Sequence, residues 1–175
     1  MTDPHPPEPE FHRPLLLERI PPHGYEITVS ATSEECAALT KRLLIPAVRS
    51  LSCRFRLHKL PKGEFTAEGE LRARVVQTCV VSLDEFTADI SEVFSALFVP
   101  AGTEAGEDEL ASTDPESVDE IPYDGVFIDL GEAATEQLAL SLDPYPRKPD
   151  AELPAAATDP EPSPFAALAA LRRKN

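Results

Sequence analysis

The chain has 175 residues, of which 42% are hydrophobic, which is enough for one domain with a substantial core. Its formal net charge of −15 favours solubility and counts against a nucleic-acid-binding protein when the chain is taken as a whole. Because the N-terminus lacks the charged and apolar regions of a signal peptide, and no apolar run is long enough to span a membrane, we expect a cytoplasmic protein without membrane partners.

Proline and charge divide the chain into segments. We expect a disordered tail over residues 1–10 and a single globular domain over residues 11–142, which includes an acidic loop at residues 101–125. A linker rich in proline and alanine follows over residues 143–162 and precedes a short C-terminal helix over residues 163–175. A helix of this length is unstable alone in water, so it docks on the domain, docks on a partner or stays frayed.

Short elements are predicted before the long strands. Residues 15–20 and 25–31 have the composition of short strands on either side of a turn that contains two prolines and a glycine. Thr32 and Glu35 have the spacing of a capping box, which predicts a helix near residues 33–44.

Residues 50–99 alternate between apolar and polar side chains, which is the period of half-buried β-strands. Turns at residues 61–63 and 84–85 divide this stretch into two consecutive long hairpins. A second helix is predicted near residues 130–141, because Asp129 has the position of an N-cap. The pattern therefore predicts an α+β fold whose antiparallel sheet, strongly twisted or barrel-like, is built on the two hairpins.

The turn at residues 61–63 fixes the register of the first hairpin. Its opposed pairs include Phe55 and Gly69, Arg54 and Glu70, and Arg56 and Glu68. Cross-strand ion pairs of this kind contribute roughly 0.2 to 1 kcal/mol each. The two arginines are either structural partners of these carboxylates or ligands for RNA phosphates, and both interpretations stay open.

A two-residue turn at residues 84–85 fixes the register of the second hairpin. It sets Cys79 opposite Ile90, Val75 opposite Phe94 and Leu71 opposite Phe98, so that the apolar side chains share one face. It also sets Gln77 opposite Glu92 among apolar neighbours, which predicts either a hydrogen-bonded pair or the mouth of the core.

Basic residues are concentrated in the centre of the chain. Between residues 41 and 79, nine Lys and Arg stand against three Glu, a net charge of +6, and the rest of the chain carries −21. In the predicted registers Arg72 and Arg74 face Ser52 or Ser95 rather than carboxylates, so they are the strongest candidates for contact with RNA or a partner. The full candidate set is Arg54, Arg56, Lys59, Arg72 and Arg74.

Cys36, Cys53 and Cys79 have no Cys-x-x-Cys spacing and no histidine at ligand distance, so we expect three buried thiols in a reducing compartment. In the predicted register Cys79 lies roughly 27 Å along the strand from the neighbour of Cys53, which excludes a disulfide between them. We expect no metal and no cofactor. The chain has no Gly-rich phosphate loop and no cluster of catalytic side chains, which predicts a protein without enzymatic activity.

The acidic loop at residues 101–125 is rich in Asp and Glu and shows no periodic apolar pattern. It is either a solvated excursion or an acidic arm that contacts a basic partner or competes with RNA for the basic residues. A metal site in the loop is disfavoured, because the spacing of an EF-hand is absent.

Three stretches of the chain carry a resemblance to a known family. They are Val75-Val76-Gln77-Thr78-Cys79-Val80-Val81-Ser82-Leu83-Asp84-Glu85-Phe86, then Ile128-Asp129-Leu130-Gly131-Glu132 with Glu136 and Leu138 to Leu140, and finally Ser163-Pro164-Phe165-Ala166 with Leu168. In order and spacing they resemble the YceD family, in its alphaproteobacterial form, from about residue 11 to residue 174. Members of that family are associated with accumulation of large-subunit ribosomal RNA in bacteria and plastids.

The chain departs from the family in the first of these stretches. Many members have Cys-x-x-Cys where this chain has Cys79 and Ser82, and some have further cysteines near the segment that here holds Pro144 to Pro149. The resemblance implies that those cysteines can hold zinc, which takes four nitrogen or sulfur ligands. With a single thiol left in these segments, a zinc site is not expected in this chain.

The resemblance implies a noncatalytic factor that supports accumulation of large-subunit (23S) ribosomal RNA during assembly of the 50S subunit. In one version the arginines of the sheet bind phosphates of the large-subunit rRNA precursor, a contact that is strongly salt-dependent. In the other version the acidic surface holds a basic large-subunit ribosomal protein until assembly, and the net charge favours this version. The alternative function is an acidic adaptor or chaperone for a basic protein, without direct contact with rRNA. No small-molecule substrate is expected.

Overall fold

The computed structural model describes residues 9–102 and 119–152. In chain order the elements are β1 (Pro14–Leu16), β2 (Tyr25–Ser30), α1 (Ser33–Arg42), β3 (Ala47–Lys59), β4 (Phe65–Thr78), β5 (Glu85–Pro100), β6 (Asp119–Tyr123), β7 (Phe127–Asp129) and α2 (Leu130–Ser141). The described residues do not include the predicted C-terminal helix, the second half of the linker before it, much of the acidic loop or most of the N-terminal tail. Neither of the described α-helices is long and apolar enough to cross a membrane.

The described strands form a five-stranded sheet in the order β2-β3-β4-β5-β6 and a separate pair, β1-β7. The predicted α+β class is confirmed, and the two long hairpins form the centre of the sheet. Of the two expected shapes, strongly twisted or barrel-like, the barrel-like one is not supported, because β2 and β6 lie at opposite edges of the described sheet and do not pair. The sheet is also mixed rather than antiparallel, since β6 runs parallel to β5. Its inner face packs with both helices and β1 in one core.

The first hairpin has the predicted register. Its opposed pairs include Phe55 and Gly69, Arg54 and Glu70, and Arg56 and Glu68. The missing side chain at Gly69 makes room for Phe94 of β5, because a Cβ atom at that position would lie 2.3 Å from the Phe94 ring. The edge of one ring meets the face of the other between Phe55 and Phe94, with centroids 5.9 Å apart. The glycine therefore lets aromatic side chains of β3 and β5 meet across β4.

The second hairpin does not have the predicted two-residue turn. β4 ends at Thr78, which pairs with Glu85, and residues 79–84 form the connection. The N–H group of Cys79 donates to the carbonyl of Asp84 at 2.8 Å and closes this turn. The predicted register was wrong by six positions, because the alternating apolar pattern of the strand continues into the turn and hides the end of β4.

A shift of six positions keeps each side chain on its predicted face but changes its partner. Leu71 faces Glu92 and Gln77 faces Phe86, so the predicted pair of Gln77 and Glu92 was wrong. The Gln77 side chain is only 6% exposed and donates from Nε2 to the carbonyl of Asp143 at 3.2 Å. A backbone group beyond α2, rather than a cross-strand carboxylate, satisfies this buried amide.

Both predicted helix starts are confirmed. At α1, the Thr32 hydroxyl accepts from the Glu35 N–H at 3.3 Å, and the Glu35 carboxylate accepts from the Thr32 N–H at 2.7 Å, which completes the capping box. At α2, the Asp129 carboxylate accepts from the N–H groups of Gly131 and Glu132 at 2.9 and 3.2 Å. The two N-caps determine the residue at which each helix begins.

Two short segments differ from their predictions. The strand expected at residues 15–20 is limited to β1 and is followed by a 3-10 turn at Leu17–Arg19. The last part of the acidic loop is not irregular, because Asp119–Tyr123 forms β6. Pro122 in this strand cannot donate a backbone hydrogen bond, and it is tolerated because β6 lies at the edge of the described sheet.

A polar cluster fastens the N-terminal segment to both helices. We call it the anchor cluster, and it consists of Arg13, Glu35, Asp129 and Gly131. The guanidinium of Arg13 donates to both carboxylate oxygens of Glu35, at 2.7 and 2.8 Å, and this holds the pKa of Glu35 at about 2. The Arg13 N–H donates to Asp129 at 2.9 Å. A Cβ atom on Gly131 would lie 2.1 Å from the carbonyl oxygen of Phe11, so this approach requires glycine.

Candidate functional site

Strand alternation brings four of the five candidate residues to the outer face of the sheet, opposite the core. Arg54 and Arg56 lie on β3, and Arg72 and Arg74 lie on β4. We call this surface the arginine face. The fifth candidate, Lys59, is at the end of β3 on the other side of the sheet, where its Nζ lies 6.0 Å from the centre of the Phe65 ring. Lys59 is therefore separated from the four arginines.

Arg54 and Arg56 lie in a network of carboxylates. Arg54 is 3.0 Å from Glu70, and Arg56 is 3.5 Å from the same carboxylate and 3.6 Å from Glu68. Glu26 of β2, which the hairpin register did not include, lies 3.8 Å from Arg54 and 3.5 Å from Arg56. Two guanidinium groups thus share three carboxylates, so a phosphate ligand has to displace existing partners.

Arg74 has a carboxylate partner that was not expected. In the observed register Arg74 faces Asp89, and its guanidinium donates to that carboxylate at 2.7 Å from Nε and 3.3 Å from Nη2. These hydrogen bonds lower the pKa of Asp89 and raise the pKa of Arg74. Arg74 does face Ser50 on β3. The prediction that it faces Ser95 on β5, and no carboxylate, was wrong, because it used the register that the six-residue turn displaces.

Arg72 is the arginine of this face that pairs with no carboxylate among residues 9–102 and 119–152. It faces Ser52 on β3 and Ser91 on β5, and its side chain is exposed. Together with Ser50 these residues border a shallow cavity of about 350 Å³. Arg74 and Asp89 border the same cavity. An exposed guanidinium without an ion pair, with serine hydroxyls beside it, has the chemistry of a phosphate contact.

The arginine face is close to neutral overall. The carboxylates that lie among its four arginines belong to Glu26, Glu68, Glu70 and Asp89. The net charge of +6 between residues 41 and 79 therefore does not make this surface positively charged. Neighbouring strands β2 and β5 bring acidic side chains from outside that stretch, which the linear count cannot include.

On the other side of the sheet, α2 and the β5-β6 edge border an open cavity of about 450 Å³, which we call the acidic groove. Its apolar lining consists of Phe94, Ala96, Ile121, Ala133, Ala139 and Leu140, and its carboxylates are those of Asp119, Glu120 and Glu136. Partial burial and the negative charge of Glu132 raise the pKa of Glu136. An apolar lining with carboxylates beside it suits a ligand that is amphipathic and basic.

The acidic groove was missed by sequence reasoning. One wall depends on β6, which was predicted as part of an irregular loop. The sequence does contain a weak indication of this strand, because Ile121 and Tyr123 alternate with Glu120 and Pro122. The proline and the acidic surroundings concealed it, and the pairing of β6 with β5 is parallel and therefore not visible as a hairpin.

All three cysteines are buried, as predicted. The sulfur of Cys79 accepts from the N–H groups of Val81 and Ser82, both at 3.4 Å. The hydroxyl of Ser82, followed by these N–H groups and that of Lys148, lowers the pKa of the Cys79 thiol to about 6. Cys79 thus serves as an acceptor that helps to hold the turn between β4 and β5.

The described molecule is an α+β unit with one near-neutral and one acidic surface on opposite sides of a sheet. The model of the family described as "Large ribosomal RNA subunit accumulation protein YceD" matches residues 67–172, which is more than half of the chain. The chain therefore belongs to the YceD family, and the resemblance to this family is confirmed over the matched residues. The family description indicates a role in accumulation of large-subunit ribosomal RNA. Neither a curated protein nor a solved structure matches the chain significantly.

The zinc site implied for other family members does not fit this chain. The turn that holds Cys79 does contact the segment after α2, because the Val80 N–H donates to the Pro146 carbonyl at 2.9 Å. However, neither Ser82 nor that segment supplies a second thiol. Within the described residues, no group of three or more His, Cys, Asp or Glu is placed to hold a metal ion. No function of this chain is assigned to a metal.

Proposed function

We propose that this protein is a noncatalytic cytoplasmic factor that supports accumulation of large-subunit (23S) ribosomal RNA by binding a component of the 50S subunit during its assembly. The observation that carries the proposal is the match of the YceD family model to residues 67–172. The matched range includes Arg72 and the residues that border the acidic groove, so both candidate surfaces have members within it.

The positions of two histidines support a noncatalytic role. His12 contacts the Asp129 carboxylate at the start of α2, and the His58 ring lies against Gly24. Neither lines the acidic groove or the cavity beside Arg72. Labelled large-subunit RNA incubated with purified protein and Mg²⁺ should stay unchanged in length and composition. Cleavage or modification that depends on the protein would contradict this part of the proposal.

Charge favours a basic large-subunit ribosomal protein as the direct partner. The arginine face offers no net positive charge, whereas the acidic groove combines carboxylates with apolar surface. Such a surface can hold a basic protein until it is assembled. The effect on rRNA is then indirect, because ribosomal RNA that lacks its proteins is degraded.

Direct contact with the rRNA precursor is the second version, and the position of Arg72 favours it. This residue is exposed, lies opposite serines on both neighbouring strands, and forms no ion pair within the described residues. It can therefore contact a phosphate without giving up an ion pair. Binding through it would weaken steeply as salt increases, since phosphate contacts release counterions.

Gradient sedimentation of lysate that contains the tagged protein tests the proposal and separates the two versions. Fractions are probed for the tag and for large-subunit RNA at low and moderate salt. Arg72→Glu probes the arginine face, and Arg19→Glu, at an exposed arginine in the 3-10 turn, is its matched control. Glu120→Lys plus Glu136→Lys probes the acidic groove, and Glu18→Lys plus Glu152→Lys is the control of equal charge.

We expect the protein to sediment with large-subunit precursors and the groove variant to lose this association, while both controls keep it. Loss with Arg72→Glu alone would establish the RNA version instead. If every form stays with free proteins at the top of the gradient, binding to precursors is contradicted. The acidic adaptor or chaperone without contact with rRNA then becomes the better interpretation.

A further inference from the structure

The acidic groove is bordered by a part of α2 that the described residues leave uncovered. Leu140, near the end of α2, has 72% of its surface exposed although it lines the groove. One helical turn earlier, Glu136 also lines the groove. Across the groove lie Ile121, which is half-buried, and the carboxylates of Asp119 and Glu120. The groove therefore presents an apolar strip with negative charge beside it.

The C-terminal sequence has the complementary pattern. Phe165, Leu168 and Leu171 are spaced by three residues, which places them on one stripe of a helix, and they are followed directly by Arg172, Arg173 and Lys174. Ser163-Pro164 supplies an N-cap and a first helical residue. These residues lie outside the described part of the chain. It is that of a short basic amphipathic helix.

We propose that residues 163–174 form a helix that lies in the acidic groove of the same chain. Its apolar stripe covers Ile121 and Leu140, and its basic end lies beside Asp119, Glu120 and Glu136. An amphipathic helix in an apolar groove is a recurrent mode of recognition, with anchors at the spacing seen here. The groove is acidic and the end of the segment is basic, so electrostatic attraction favours binding of the segment in the groove.

The dimensions permit this arrangement. A helix over residues 163–174 is about 18 Å long. Strand β6, whose first three residues line the groove, extends about 17 Å over its five residues. The described chain ends at residue 152, and the 13 residues from there to Phe165 reach roughly 43 to 47 Å when extended. A domain of this size has a radius of gyration of about 14 Å, so the tether reaches the groove from any exit point.

The C-terminal segment is covalently linked to the domain, and this favours it over a separate molecule as the occupant of the acidic groove. A helix this short is unstable alone, but the linker holds it near the groove at an effective concentration on the order of millimolar. A second copy of the chain has no such advantage, and two chains that each carry −15 repel one another. A basic partner that uses the groove then has to displace the segment.

Zero-length carbodiimide crosslinking of the purified full chain tests the contact, because it joins lysines to carboxylates in direct proximity. We expect Lys174 to be joined to Asp119, Glu120 or Glu136 within one chain, with a yield that does not fall on dilution. The pair of Lys148 and Asp84, 3.3 Å apart, is an internal reference for the reaction.

Two matched variants test whether the apolar stripe is responsible. Leu168→Glu places a charge on the stripe and should reduce the Lys174 crosslinks roughly tenfold, since burial of the leucine is lost. Ala170→Glu adds the same charge on the opposite side of the helix and should leave them unchanged. Crosslinks that form only between chains, or that spread equally over distant carboxylates, would overturn the proposal.

Thiol labelling gives a second readout that does not depend on charge. The native cysteines are buried, so a Gln137→Cys thiol in the groove can be followed by its rate of labelling. We expect labelling to be roughly tenfold faster when Leu168→Glu is added, and unchanged with Ala170→Glu. Equal rates in all three forms would show that the groove is open and contradict the proposal. Neither assay involves ribosomal components, so its outcome is independent of the sedimentation result.

Discussion

The anchor cluster and the arginine face contain the same chemistry, pairs of arginine and carboxylate, in two different settings. In the anchor cluster, the side chains of Arg13 and Glu35 are 31% and 21% exposed, and they join the N-terminal segment to α1. On the arginine face, Arg74 and Asp89 are 59% and 69% exposed and lie on adjacent strands that the backbone already pairs. The pair of Arg13 and Glu35 joins segments that are separate in the chain. The pair of Arg74 and Asp89 joins two strands that backbone hydrogen bonds already hold together.

This difference determines which arginines are available to a ligand. Breaking a partly buried pair leaves a charge with poor solvation and separates packed elements, so the cost is large. An exposed pair contributes little, because water and salt screen it, and a phosphate can replace its carboxylate. The arginine face is thus suited to exchange partners and the anchor cluster to support α2, which forms one wall of the acidic groove.

Gly131→Ala should produce the largest effect on the anchor cluster. Alanine normally stabilises a helix relative to glycine, but here its Cβ atom would lie 2.1 Å from the Phe11 carbonyl oxygen. The N-terminal segment has to move away from α2, and we expect a loss of about 2 to 4 kcal/mol in the free energy of unfolding, measured with urea. Ala139→Gly, at an exposed position of α2, should cost only about 1 kcal/mol. A stabilised Gly131→Ala protein would show that the segment is not held there.

Acid should weaken the anchor cluster through Glu35. The hydrogen bonds from Arg13 lower the pKa of Glu35 from 4.5 to about 2, so the stabilisation is complete above pH 4.5 and is lost as the pH falls towards 2. Glu35→Gln should reduce stability by about 2 kcal/mol at neutral pH, a value discounted for partial exposure. The difference between the two proteins should disappear near pH 2. Urea unfolding of both across this range measures it, and a constant difference would contradict the assignment.

Asp129→Ala should have a somewhat smaller effect at the same cluster. The Oδ1 atom of Asp129 accepts from Gly131, Glu132 and Arg13, so alanine leaves three backbone donors without this partner. We expect a loss of about 1 to 2 kcal/mol, the usual cost of removing an N-cap. Asp129→Asn keeps an acceptor at the same place and should recover part of the loss. If both substitutions are equally harmful, the negative charge rather than the cap is responsible.

The two hairpins show what the sequence can and cannot predict about the fold. The first register was predicted correctly because Pro61 and Gly63 interrupt the apolar alternation and locate the turn. The turn over residues 79–84 contains no proline or glycine, and it is held by the Cys79 sulfur and by the carbonyl of Pro146, far along the chain. Local pattern carries no information about such distant partners, so the second register was wrong.

The same reasoning applies to the candidate surfaces. The alternation of apolar and polar residues correctly predicted that the four arginines of the arginine face share one side of the sheet. A shift of register by an even number of residues changes the partners but not the face. Their partners were predicted only where the register was right. Glu26 depends on the pairing of β2 with β3, and Asp89 depends on where β4 ends. Strand order and turn length thus decide whether a basic stretch of sequence becomes a basic surface.

The pair of Arg74 and Asp89 should show the smallest effect and complete the comparison with the anchor cluster. In a double-mutant cycle with Arg74→Ala and Asp89→Ala, the coupling in the free energy of unfolding should be weak at low salt and vanish at high salt, because both side chains are exposed and screened. The same cycle on Arg13 and Glu35 should keep most of its coupling at high salt. If the two cycles respond equally to salt, the arginine face is held as firmly as the anchor cluster. Its arginines would then be structural and not available to a ligand.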